Sequence, residues 1–153
     1  KIDEFSDKPG FMFAMTDLSS IYSDQLKSAK RGVAIVDQKY VVISDELETD
    51  NKPAVVRWTM MTTATPELHE KSIVLTKDGK KLVLKVDTNL PVNMKTWSTT
   101  PTTTYDAQNP GTVLVGFELK LEAGQKTAFQ VELIPETTDE KSTGFKKKLT
   151  DWK

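Results

Sequence analysis

The sequence contains no cysteine and a single histidine, His69. Without thiols it holds no disulfide framework, thiolate zinc site, iron–sulfur cluster or cysteine nucleophile. One imidazole does not build a histidine-rich metal centre, so neither a metal nor another cofactor is expected. An excess of one charge is lacking as well: 21 Lys and Arg stand against 22 Asp and Glu, a net charge of −1. That balance argues against nucleic acid as a partner, because phosphate binding by bulk electrostatics needs clustered cations. No run approaches the ~20 apolar residues of a membrane span, so no membrane partner is expected either. A glycine-rich phosphate loop, a G-x-S-x-G elbow and an H-E-x-x-H motif are all absent.

What remains is enough for one domain. At 153 residues, 37% of them hydrophobic, the chain can bury roughly two-thirds of its unfolded surface without staples. Its apolar residues fall in short runs separated by turn chemistry at regular intervals, the pattern of an all-β protein. Candidate strands are 11–15, 32–36, 40–44, 54–61, 71–76, 80–86, 92–98, 112–121 and 126–134. Lys77-Asp78-Gly79 between two alternating runs is a strong hairpin signal, and Asp37-Gln38-Lys39 has hairpin length. Val113, Val115, Phe117, Leu119 and Leu121 share one parity, with Gly116, Glu118 and Lys120 on the other. Phe129, Val131 and Leu133 alternate in the same way with Gln130 and Glu132. One face buried and one wet is the signature of an antiparallel sheet. Twenty threonines suit half-buried strands.

The fold class expected is therefore an all-β antiparallel sandwich of about 8–10 strands with one short helix near the N-terminus. The helix is expected within residues 17–26, where Leu18, Ile21, Tyr22 and Leu26 recur at helical offsets and Thr16 or Asp17 can cap. Residues 1–135 form the sandwich domain. The polar stretch 136–153 reads as a linker or tail, with Phe145, Leu149 and Trp152 as tethers. The chain opens on Lys1 and shows no charged n-region followed by an apolar h-region, so it reads as a piece of something longer.

Few residues carry visible chemistry. His69 sits in TPELHE beside Glu67 and Glu70, and reads as a surface-loop residue because a base or ligand needs convergent partners. The acidic residues Asp37, Asp45, Glu46, Glu48 and Asp50 lie at hairpin ends and lack the calcium-loop pattern. Trp58 shares parity with Val56 and Met60 and reads as core. Trp97 and Tyr105 flank the long hydroxyl-rich loop STTPTTTYDAQNP and are candidate carbohydrate contacts; the competing reading folds them back on the sandwich edge. Lys27, Lys30 and Arg31 form the densest basic cluster inside the fold. They are candidate contacts for an acidic sugar, with a solvated strand face as the competing reading.

The order of elements carries more than any single residue. DLSSIY (residues 17–22), then KSAKRGVAIV (27–36), then YVVISDE (40–46) resembles the D-L-T-x-x-Y, R-x-x-x-x and Y-x-V-x-x-D passage of heparinase II/III-type polysaccharide lyases. There it belongs to the β-sandwich that follows a helical toroid. RWTMMTTATPEL, the hairpin around Lys77-Asp78-Gly79-Lys80, and TWSTTP with YDAQNPGT resemble the same branch. The resemblance covers roughly residues 10–135. It implies a secreted or periplasmic glycan-degrading system in which a Tyr and a His abstract the C5 proton of a uronic acid. The family's catalytic Tyr and His, and the zinc site of some members, belong to regions preceding this stretch. Tyr22 and His69 match in type but not in motif position, so no catalytic or metal residue is carried over. The resemblance implies a non-catalytic sandwich portion whose partners are an upstream toroid domain of the same polypeptide and an acidic polysaccharide. An independent carbohydrate-binding module is the alternative. An exposed apolar face where the upstream part docks would favour the first reading.

Overall fold

The sharpest local signals sit at two hairpins. In the computed structural model, Asp37 and Gln38 take φ of 48° and 57°, and Asp78 and Gly79 take 50° and 73°. Two successive left-handed residues give the turn whose twist matches antiparallel strands, and glycine holds that conformation without a Cβ penalty. The structure describes residues 1–138 and 143–152. Among them are eleven strands: β1 (Glu4–Ser6), β2 (Phe11–Asp17), β3 (Leu26–Val36), β4 (Tyr40–Thr49), β5 (Ala54–Thr62), β6 (Thr65–Leu68), β7 (Ser72–Lys77), β8 (Lys80–Asp87), β9 (Asn93–Ser98), β10 (Val113–Leu121) and β11 (Lys126–Pro135). A single 3-10 turn, Leu149–Asp151, follows.

The strands form two antiparallel sheets. The long sheet has the order β1-β2-β3-β4-β11-β8-β7-β6, and the short one β5-β10-β9. They pack face to face, as the sandwich reading expects. The alternating side chains of β10 and β11 fill the space between them: Val115, Phe117, Leu119, Leu121, Phe129 and Val131 are buried, with Ile73, Leu84 and Trp58. Phe117 stacks on Trp58 at 5.9 Å and meets Phe129 edge-on at 5.4 Å. The strand count exceeds the expected range because β1 and β6, of three and four residues, are too short to show a period.

The expected N-terminal helix does not form. Residues 18–25 make successive tight turns: the Ile21 N–H donates to Leu18 O, and the Gln25 and Leu26 N–H groups both donate to Tyr22 O. Short polar side chains divert the backbone. Asp17 Oδ1 accepts from the Ser19 N–H at 2.8 Å, and Ser19 Oγ from the Ala29 N–H at 3.0 Å. Ile21 is 71% exposed, so no continuous apolar stripe drives a helix, and a segment this short cannot repay its own nucleation.

A second cluster lies on the other face of the long sheet. Ala34, Val36, Tyr40, Val42 and Ile134 pack there with Leu149 and Trp152, and with the partly buried Phe11, Phe13, Met15 and Phe145. The sequence tethers are thus seated on the sheet. Three polar side chains hold the backbone between them. Glu132 Oε1 accepts the Gly144 and Phe145 N–H groups at 2.8 and 2.9 Å. Gln130 Nε2 donates to Lys147 O at 2.9 Å, and Glu46 Oε1 accepts from the Leu149 N–H at 3.0 Å. Gly32 provides the notch: a Cβ there would stand 2.5 Å from Leu149 Cδ2 and 2.6 Å from Trp152 Cζ3.

Candidate functional site

The basic cluster of the sequence is split by the β pleat. Lys27 is the extra residue of a bulge, since the register slips between Leu26 and Ser28. Its Nζ lies 2.7 Å from Glu48, which also meets Lys126 at 3.4 Å. Those cations hold the Glu48 carboxyl below its ordinary range. Lys30 stands opposite Glu46 on β4 and Asp17 on β2. Arg31 has the opposite parity and points between the sheets, where it makes a bidentate pair with Asp45 at 2.7 and 2.9 Å. Lys27 is thus paired with Glu48 and Arg31 with Asp45, while Lys30 and Arg31 line one cleft.

Asp45 is the most enclosed of these groups. Its side chain is 4% exposed against 40% for Arg31. Burial pushes its carboxyl above the ordinary range, and the Arg31 hydrogen bonds and charge pull it part of the way back. Around this pair a cleft of about 260 Å³ opens at the side of the sandwich, lined by Tyr22, Lys30, Arg31, Asp45, Arg57 and Trp58. The cleft is smaller than typical small-molecule pockets. Trp58 is core, as its parity implies, yet its buried indole N–H has no acceptor among the described residues.

Trp97 and Tyr105 end up in different settings. Trp97 lies on the outer face of the short sheet, level with Leu114 of β10. The Arg57 guanidinium sits 4.9 Å from its ring centre. Arg57 is oriented by Glu118, whose Oε1 accepts from its Nε and Nη2 at 3.0 and 2.8 Å, while Oε2 accepts from Lys95 at 2.6 Å. Lys95 and then Arg57 hold the Glu118 carboxyl below its ordinary range. Arg57 thus belongs to this platform although no motif marks it; its signal is parity with the exposed Val55 and Thr59. Tyr105 is 87% exposed, on a loop closed at its base by Thr99 and Thr112 bonding each other and Asn109 O.

His69 lies past β6 at one end of the long-sheet order, whereas Tyr22 sits between β2 and β3 toward the other. His69 Nε2 is 3.5 Å from Glu67 and half exposed. Among the described residues no group of three or more His, Cys, Asp and Glu is placed to hold a metal ion. No helix among them is long and apolar enough to cross a membrane.

A different feature dominates the surface. The short sheet covers only part of the long one: Leu26 and Ala29 of β3 are in the core, whereas the inner face of β1, β2 and the second half of β3 is left open. In register, Phe5 stands beside Ala14, Ala14 beside Val33, Met12 beside Ile35 and Ile35 beside Val41. Phe5 is 75%, Val33 41% and Ile35 40% exposed. Contiguous apolar residues on one sheet face mark an interaction surface, unlike singly scattered ones.

The molecule so described is an all-β two-sheet sandwich with an open apolar half-face. Its fold is that of a region of heparinase III. One heparinase III crystal structure matches over 94% of this chain and 22% of its own, with TM-score 0.66 and 11% identity. A second heparinase III structure matches over 88% of this chain and 21% of its own, with TM-score 0.62 and 14% identity. Heparan sulfate lyase HepC from Pedobacter heparinus matches over 91% and 22%, with TM-score 0.56 and 12% identity. No family model and no curated protein sequence matches. The chain spans about a fifth of the length of these structures, and at such identities the likeness establishes the fold.

Proposed function

We propose that this domain is a non-catalytic β-sandwich portion of a heparinase II/III-like polysaccharide lyase. The complete enzyme would cleave uronic-acid-containing glycans by β-elimination, in the periplasm or outside the cell. The domain would pack against the helical toroid and shape one wall of the substrate cleft. The observation that carries this reading is the fold match, which takes in 94% of this chain but only 22% of a heparinase III. The bare apolar half-face supports it, because a sheet surface of that kind is built to be covered. The pairing of Lys27 with Glu48 and of Arg31 with Asp45 fits a domain that does not itself grip the polyanion.

An independent carbohydrate-binding module is favoured only by the exposed Tyr105. Trp97, the other aromatic, already carries Arg57 on its ring, and a sugar would have to displace a contact worth roughly 0.5–1 kcal/mol at exposed sites. One experiment addresses both readings. The isolated chain is incubated with heparin, heparan sulfate, chondroitin and alginate, following ultraviolet absorbance of the unsaturated product, and titrated calorimetrically with the same glycans. No turnover and no heat are expected. Sustained turnover overturns the non-catalytic assignment; binding heat abolished by Trp97→Ala or Tyr105→Ala establishes the module instead.

A further inference from the structure

The outer face of the long sheet is closed by a segment that does not join it as a strand. Residues 144–152 cross β11, β4, β3 and β2, which are neighbours in the sheet. Glu132 and Gln130 of β11 hold Gly144, Phe145 and Lys147, and Glu46 of β4 holds Leu149. Leu149 and Trp152 fill the notch at Gly32 of β3. Phe145 stacks on Phe11 of β2 at 5.2 Å, and Trp152 meets Phe11 and Phe13 edge-on. Each of these hydrogen bonds has a side chain of the sheet at one end. Among the described residues no main-chain bond links 144–152 to a strand. The Asp151 N–H to Lys148 O, Trp152 N–H to Leu149 O and Trp152 Nε1 to Lys147 O bonds are internal to the segment. The sheet thus reads this backbone with side chains, as a groove holds a peptide.

The apolar contacts beneath the segment form a core of their own. The cluster that contains Leu149 and Trp152 shares no residue with the cluster between the two sheets. Withdrawal of 144–152 therefore breaks no strand ladder and opens nothing between the sheets. Glu132, 3% exposed in the closed state, would gain water in place of two N–H groups and would not be stranded in the interior. A unit held by its own contacts over its own core opens locally, at a lower free energy than the whole. The face it leaves, with Phe11, Phe13, Val36 and Val42 uncovered together, is the kind of apolar patch that marks an interaction site.

We infer that this face is a recognition groove, filled by residues 144–152 as a detachable latch, and that the same segment of a second copy takes their place when they leave. The groove reads an aromatic residue, a leucine and a tryptophan at the first, fifth and eighth positions, here Phe145, Leu149 and Trp152. Four main-chain groups set the register: the N–H groups of Gly144, Phe145 and Leu149 and the carbonyl of Lys147. The residues between the anchors, Lys146, Lys147, Lys148 and Thr150, are exposed and add no apolar contact of comparable burial. A second copy is the occupant these contacts select, because exchange of identical segments keeps every contact and changes only the connection. The inference goes beyond the lyase reading and does not rest on it.

Amide hydrogen exchange of the whole chain in low urea tests the latch. The Gly144, Phe145, Leu149 and Trp152 amides should exchange through one shared opening, about 100-fold or more faster than Phe117 and Val131 and with a weaker urea dependence. Exchange of both sets only by global unfolding overturns the inference. Leu149→Ala with Trp152→Ala in the whole chain should release the latch and leave the sheets folded. Phe117 and Val131 should then speed up by no more than the latch's own protection factor in the parent chain. A peptide of residues 143–152, titrated into that isotope-labelled double variant, should shift the Phe11, Gly32 and Glu132 signals saturably. Adding Gly32→Ala to the variant should weaken this binding by about 10-fold or more, because the peptide's indole meets the new methyl. A double variant that unfolds, or one that stays folded and shows no shift at millimolar peptide, overturns the inference. So does peptide binding indifferent to Gly32→Ala.

Discussion

Gly32 and Trp152, 120 positions apart, make a prediction whose sign reverses with context. Glycine inside a strand usually costs roughly 0.5–1 kcal/mol relative to alanine, because it loses more backbone freedom on folding. On that ground alone Gly32→Ala should stabilise. Its place beneath the C-terminal segment says otherwise. The new methyl would lie 2.5 Å from Leu149 Cδ2, 2.6 Å from Trp152 Cζ3 and 2.9 Å from Trp152 Cη2, all well inside contact distance. Overfilling a packed site costs about 1–3 kcal/mol, which exceeds the propensity gain, so the single variant should be net destabilised. Trp152 is 2% exposed and packs edge-on against Phe11 at 5.3 Å and Phe13 at 5.8 Å. Trp152→Ala should cost up to about 3–5 kcal/mol, with the free energy of docking residues 143–152 as its ceiling. Once the indole is gone, the methyl meets only the movable end of Leu149, and Gly32→Ala should become neutral or stabilising. Urea unfolding of the four proteins gives the coupling directly. Relief of ~1–2 kcal/mol in the double variant is expected; additivity to within ~0.5 kcal/mol would refute the notch as the seat of the C-terminal segment.

Three other perturbations follow from the same contacts. Arg31→Ala should cost more than Asp45→Ala in thermal or urea unfolding. It strands a carboxylate that is 4% exposed, whereas removing Asp45 leaves a guanidinium that is 40% exposed and can reach water; a broken buried pair costs about 3–5 kcal/mol, with Asp45→Ala expected below that range. Burial already raises the Asp45 carboxyl, so protonation favours the folded state, and the Arg31→Ala deficit should shrink as the pH falls through the raised value. Glu118 has the opposite sign. Lys95 and Arg57 depress it, so its contribution is present above the ordinary carboxylate range and lost in acid, and Glu118→Gln should flatten the acid limb of a stability–pH curve. Glu132→Ala leaves the Gly144 and Phe145 N–H groups without their acceptor and should speed exchange at those amides and at Leu149. Glu132→Gln, which keeps an oxygen there, should retain much of the protection, at a difference of about 1.5–3 kcal/mol.

The sandwich was legible where one parity is buried over a long stretch, as in β10 and β11, and where paired left-handed residues close a hairpin, as at Asp78-Gly79. It was misread where a local pattern has two solutions. Leu18, Ile21, Tyr22 and Leu26 satisfy helical offsets, but consecutive turns bring Leu18 and Leu26 inward equally well and leave Ile21 out. The early half of β3 was hidden for a related reason: the bulge at Lys27 breaks the two-residue period, so Leu26 and Ala29 share the inner face three positions apart. The Arg31–Asp45 pair was within reach, since counting outward from the Asp37-Gln38-Lys39 connector sets the two residues opposite each other. The roles of Gly32 and Glu132 were not, because each answers to a segment far along the chain and neither breaks its own strand's pattern.

The two faces of the long sheet are finished by different means, and the difference bears on how the domain is used. The outer face is closed from within this chain, by aromatic residues and by carboxylates spent on backbone N–H groups. The inner face is closed by β5, β10 and β9 over the β4 half and left apolar over the β1 half. An autonomous module gains nothing from Phe5, Val33 and Ile35 in water, where each forgoes part of the ~25 cal/mol per Å² that burial returns. A domain built into a larger body gains from the same residues, provided the larger body reaches them. The outer face being occupied, it can reach them only from the inner side. That geometry sets the isolated domain's behaviour as well: charges placed on the bare half-face should make it more soluble without making it less folded. Sedimentation of Val33→Glu/Ile35→Glu against the parent chain reads the first, its melting temperature the second. A variant that loses solubility and melts early would mean that this face is already part of a closed core.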